Sequence, residues 1–181
     1  MNRRGFLFAA TLFAAPLLHA HTPYRQWKVL RQRFLLVHST REDPAGDALA
    51  ERIVAALNRS LPQANAMVAR APHATRTASL LTTGQAVLAV MRAEEALDLH
   101  AGRGRFSSFD GSSIRRLLEI EDRVLVTVDS LPRHHAWLLA SALTRDAVTV
   151  KAQVPVPAEG MVPVHPGAVA FASGEPLEAQ E

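Results

Sequence analysis

The chain has 181 residues, of which 48% are hydrophobic and 20% charged, a balance that suits one globular domain with its own core. Cysteine is absent, which excludes disulfides, thiolate metal sites and a cysteine nucleophile. The formal charge of +3 falls to +1 without Arg3 and Arg4, and the other arginines are interleaved with acids, so no nucleic-acid footprint is present.

The first segment, "MNRRGFLFAATLFAAPLLHAH", joins paired arginines to an uncharged apolar run from Gly5 to Leu18 and small residues near Ala20. That pattern predicts an export signal over residues 1–20, with an apolar run too short for a comfortable membrane span. "NRRGFLF" is similar to the twin-arginine consensus, so the expected compartment is the periplasm, with no stable span after signal removal. His21 would then be the mature terminus; an amine and imidazole there could chelate copper, but the expectation is a solvated end and no metal.

Phe34–Val37 is a continuous apolar run, as expected of a strand buried on both faces. Asp43 stands at a helix N-cap position and Pro44 at the first helical position. Leu49, Ile53, Leu57 and Leu61 recur every fourth residue, one stripe of a helix that Pro62 ends. The alternation then repeats. "ANAMVARA" predicts a strand, "PHATRTASLLTTG" a short helix closed by Gly84, "AVLAVM" a strand and "AEEALDLHAG" a helix closed by Gly102. Such alternation predicts parallel β-α-β units, hence an α/β fold of three layers with a mostly parallel sheet and flanking helices.

Residues 103–113 form a Gly/Ser loop, followed by strand candidates "IRRLLEI" and "RVLVTV" and by the helix "SLPRHHAWLLASAL". Valines alternating with Pro155, Pro157 and Pro163 predict that residues 147–181 are an extended tail lying on or near a single lobe of residues 21–146.

In an open parallel sheet, ligands bind beyond the carboxyl ends of the strands, where helix amino ends point their N–H groups outward. The candidates there are Ser39, Thr40 and Arg41 after the first strand, His73, Thr75 and Arg76 after the second, and Arg92 after the third. Hydroxyls and guanidinium groups on one rim suit a carboxylate or another small anion. Catalytic patterns are missing: there is no G-x-S-x-G, no phosphate-cradling glycine loop and no H-E-x-x-H, and adjacent His134 and His135 point about 100° apart on a helix. The chain therefore reads as non-catalytic, without a cofactor.

The order of motifs resembles the amino-terminal lobe of TAXI-family solute-binding proteins, the extracytoplasmic receptors of TRAP transporters. The matching residues are Leu57-Asn58, Leu61-Pro62, Leu80-Leu81, Gly84 and Ala86. "RVLVTVDSLPRHHAWLLASALTRD" and the closing His165-Pro166-Gly167-Ala168 are similar as well. The resemblance implies one lobe of a type II periplasmic binding protein and a transport-linked, solute-binding role. A family member has two lobes, and here only residues 103–113 and "IRRLLEI" stand where a second would branch. The leading expectation is thus a single lobe that binds a small anion, a carboxylate or a partner protein in the periplasm or membrane. The alternative is an accessory or chaperone-like subunit of a periplasmic redox enzyme exported by the twin-arginine route.

Overall fold

The computed structural model describes residues 34–146 and 149–177. The export signal and His21 lie outside the described residues. Five strands, β1 (Leu36–Thr40), β2 (Met67–Ala71), β3 (Leu88–Arg92), β4 (Ile114–Ile120) and β5 (Arg123–Val128), form one sheet in the order β2-β1-β3-β5-β4. Five helices, α1 (Pro44–Ser60), α2 (Ala74–Thr82), α3 (Ala93–His100), α4 (Arg133–Arg145) and α5 (Pro166–Ala172), accompany it.

The sheet is mixed, which corrects the expectation of a mostly parallel one. β1 pairs in parallel with β2 and β3, but β5 is antiparallel to both β3 and β4. The reason is the connection between β4 and β5. Only Glu121 and Asp122 separate them, and two residues close a hairpin but cannot make a crossover. Glu121 takes a left-handed backbone (φ 58°) to do so.

Each sheet face has its own core. On one, Val37, Leu88, Val90 and Leu125 meet Leu49, Ile53 and Leu57 of α1 and Leu139 and Leu143 of α4. On the other, Ala89, Met91, Val124 and Val126 meet Ala78 and Leu81 of α2, Leu99 of α3 and Phe106. The stripe every fourth residue in α1 is thus a packing stripe; each fully buried Leu or Ile contributes about 1.5–3 kcal/mol.

The stretch 103–113 joins the same body. Phe106 is buried in the second core, and His100 Nδ1 lies 3.1 Å from the Gly111 carbonyl. "IRRLLEI" is β4 itself, so the place expected for a second lobe is occupied by a loop and a strand of the same α/β body.

The two sheet edges are treated differently. Just before β2, the Asn58 side chain both accepts from Ala66 N–H (2.8 Å) and donates to Ala66 C=O (3.0 Å), imitating a neighbouring strand for one residue, while β2 itself stays an open edge with Met67 and Arg70 exposed. At β4, the chain after Asp146 supplies the cover. Glu119 exchanges two backbone hydrogen bonds with Gln153, and Arg116 exchanges backbone bonds with Pro163 and His165. The guanidinium of Arg116, buried to 4% exposure, donates to the carbonyls of Val162 (2.7 Å) and Val156 (3.3 Å) and to Glu119 Oε1 (2.7 Å). Val150 and Ala168 sit in the main core, so the segment belongs to the domain.

The expected tail is extended only as far as His165; residues 166–172 form α5. Pro166 provides the preset φ of a first helical residue, and the His165 ring caps the helix. Gly167 N–H donates to His165 Nδ1 (3.1 Å), so that nitrogen carries no proton and Nε2–H donates to the Leu131 carbonyl (3.0 Å). Gly167 is required for close approach to α4: a Cβ there would lie 2.1 Å from the Arg133 carbonyl oxygen. Gly167→Ala is expected to destabilise the protein by about 1–3 kcal/mol, measured by urea unfolding.

His165 also predicts a pH dependence. Burial, foremost, holds its pKa below the ordinary 6.5. The folded chain therefore stays neutral there while the unfolded chain takes up a proton. Stability is fully present above pH 6.5 and falls as pH drops from 6.5 towards the lowered folded value. Urea unfolding at pH 7.5 and 5.5 is expected to show a loss that is smaller in His165→Asn.

Candidate functional site

Because β1, β2 and β3 run the same way, their carboxyl ends and the amino ends of α1, α2 and α3 gather at one rim. β5 starts there, since Arg92 pairs with Arg123 across the antiparallel ladder.

The structure redistributes the residues expected at this rim. β1 extends to Thr40, so Ser39 and Thr40 belong to a buried strand and not to a loop. A polar residue is tolerated there because Ser39 Oγ donates to Asp47 Oδ1 of α1 at 2.7 Å. Asp47 also accepts from Arg70 Nε at 2.9 Å. Burial works against the charge of Asp47, but these bonds outweigh it and hold its carboxyl below the usual range.

His73 and Thr75 are engaged with α2. His73 Nδ1 accepts the Arg76 N–H at 3.2 Å and lies 2.7 Å from Thr75 Oγ1. Glu42 Oε2 accepts the Ala74 N–H at 3.1 Å and lies 3.4 Å from Arg105, which also pairs with Glu95. The amino end of α2 is thereby filled by groups of this chain. Of the expected residues, Arg41, His73, Arg76 and Arg92 are exposed at the rim, His73 while capping α2, and Thr75 is half-buried.

Two charged residues were not expected in their observed roles. Asp43 is the residue before α1, but its side chain makes no capping hydrogen bond. It turns instead to Arg123, accepting from Nε at 2.8 Å and Nη2 at 2.6 Å. This is a two-pronged pair with side chains only 13% and 9% exposed. The Arg123 hydrogen bonds, foremost, hold the Asp43 carboxyl below the usual carboxylate range, against the effect of burial. Gly46 makes room for the pair: a Cβ would stand 2.3 Å from Asp43 Oδ2. Arg92 Nη2 approaches the same carboxylate at 4.0 Å. The signal for Arg123 in the sequence is "EIEDRV", whose short turn brings the start of β5 back beside the end of β3.

Chemically, the rim offers exposed guanidinium groups over a neutralised ion-pair layer. That suits recognition of carboxylate or other oxyanions. Among the described residues, no three His, Asp or Glu side chains converge as a metal site, and no helix is long and apolar enough to cross a membrane. The small hollow between α4 and α5, lined by Trp137, Ala170 and Leu177, lies apart from the rim residues. No known family model and no curated protein matches the chain.

Proposed function

We propose that the chain is an exported, non-catalytic binding protein of solute-receptor type, reduced to one lobe, that engages a carboxylate-bearing partner at the rim. The observation that carries this reading is the rim itself, where the three parallel strands deliver Arg41, Arg92 and the α2 residue Arg76 to solvent on one edge. The mixed sheet with helices on both faces is compatible with one lobe of a type II periplasmic binding protein of the TAXI kind. The packing of residues 103–113 against the second core, and of "IRRLLEI" into the sheet, supports the single-lobe part of the proposal, because these are the segments from which a second lobe would branch. An open rim leaves a small molecule largely in water, whereas usual affinities need most of a ligand's surface buried. A partner protein is accordingly the favoured occupant.

The second reading, an accessory subunit of an exported redox enzyme, is favoured by "NRRGFLF", since the twin-arginine route carries folded cargo. Mass spectrometry of the protein from a periplasmic fraction tests export: a mature terminus near His21 is expected, and an intact Met1 in the cytoplasm would overturn it. Calorimetry against dicarboxylates, amino acids and oxyanions tests the mode of binding. Silence is expected from an open rim; a micromolar constant for one solute would restore an enclosed receptor.

A further inference from the structure

Three arginines occupy consecutive positions across the rim. The β1–β3 register, Val37 with Leu88 and His38 with Ala89, sets Arg41 level with Arg92 when continued past the strand end. Arg92 is in turn paired with Arg123. Strand alternation places Arg92 and Arg123 on the α1 side of the sheet, in line with Leu88, Val90 and Leu125 of that core. Arg41 lies one alternation beyond Ser39, which contacts α1 through Asp47, and its charge is felt at that same Asp47. Like charges on neighbouring strands, about 5 Å apart, oppose folding, and the amino end of α1 adds positive potential.

Two carboxylates, Asp43 and the largely exposed Asp122, are set into this row among the described residues, and both are committed to Arg123. Arg92 has only its 4.0 Å approach, at 46% side-chain exposure, and Arg41 has no ion pair among the described residues. Nearby acids are largely spoken for: Glu42 and Glu95 face Arg105, leaving Glu94 as the exposed acid of the first turn of α3. The row is thus built for more negative charge than the chain supplies.

The geometry points to Arg41 and Arg92 as the docking pair for an acidic segment of a partner protein, whose carboxylates continue the row that Asp43 begins. This rests on the rim reading above and narrows its occupant. An extended acidic segment suits the place because it lays successive carboxylates along a flat edge, where a single small anion would stay hydrated.

The test uses the full mature chain and a fluorescein-labelled hexaglutamate peptide, followed by anisotropy at 20 and 150 mM NaCl. Binding is expected at low salt, weakened by tenfold or more at the higher salt. The double variant Arg41→Ser/Arg92→Ser is expected to lose tenfold or more with an unchanged circular dichroism spectrum. Arg145→Ser, beside Asp146 and so by the last turn of α1, away from the rim, is expected to bind like wild type. No binding at low salt, or equal binding by the double variant, overturns the proposal. Equal binding of citrate at the same residues also overturns the acidic-segment occupant while leaving an anion-binding rim standing.

Discussion

Replacing Asp43 with alanine is expected to lower the stability of the fold by about 3 kcal/mol, because it strands a guanidinium that is nearly out of solvent. Arg123 has two hydrogen bonds to Asp43, and its remaining partner, Asp122, is 72% exposed. Exposed ion pairs elsewhere, such as Arg52 with Glu121, are expected to contribute well under 1 kcal/mol each, so the two classes separate clearly. The double variant Asp43→Ala/Arg123→Met is expected to recover part of the loss, since the uncompensated charge leaves with its partner. Urea unfolding of the wild type, the single variants and the double variant closes the cycle; additive losses would contradict the pairing. Acid provides the same test without mutation. A carboxyl with a lowered folded pKa stabilises above the unfolded value of 3.8 and loses that contribution as pH falls through the folded value.

Arg116→Met is the second large effect, also expected at about 3 kcal/mol. Three acceptors lose a donor at once: the carbonyls of Val156 and Val162 and the Glu119 carboxylate. Each deprived buried acceptor costs about 1–3 kcal/mol, moderated where water can reach it. Because both carbonyls belong to the segment after Asp146, the loss is expected to be local first. Limited proteolysis between Pro157 and Met161 should accelerate at temperatures where the rest of the protein still shows its native circular dichroism. Lysine at 116 is expected to restore little, because one ammonium cannot reach three acceptors lying in the spread of a planar fork.

Legibility of this fold in the sequence followed the physics of each segment. β4 and β5 are the runs "IRRLLEI" and "RVLVTV" residue for residue, since β-branched and aliphatic runs bounded by charge have no competing reading. α1 was equally plain from Pro44 and its stripe of leucines and Ile53. β1 was displaced towards its apolar half, because His38, Ser39 and Thr40 look like a loop until Asp47 is seen holding Ser39. α5 was hidden because seven residues beginning with a proline have too little periodicity to distinguish a turn of helix from extended chain. The rim was legible as a place, through the alternation of strands and helices. Its chemistry was not: Asp43 and Arg123 are 80 positions apart, and only the hairpin's return strand brings them together. Arg41, His73, Arg76 and Arg92 remain at the surface where the alternation put them, while Thr40 is buried in β1 and the side chains of Ser39, His73 and Thr75 serve the fold's own hydrogen bonding.

The cover over β4 has a practical consequence for anyone cutting the chain. A fragment stopped after Asp146 would keep every strand and the first four helices, yet its outermost strand would face water with naked amides at Arg116 and Glu119, and the Arg116 charge would lie half wrapped. Such a fragment is a template for stacking copy upon copy, so a shortened version designed at that boundary should precipitate, whereas one ending beyond Glu175 should stay dispersed.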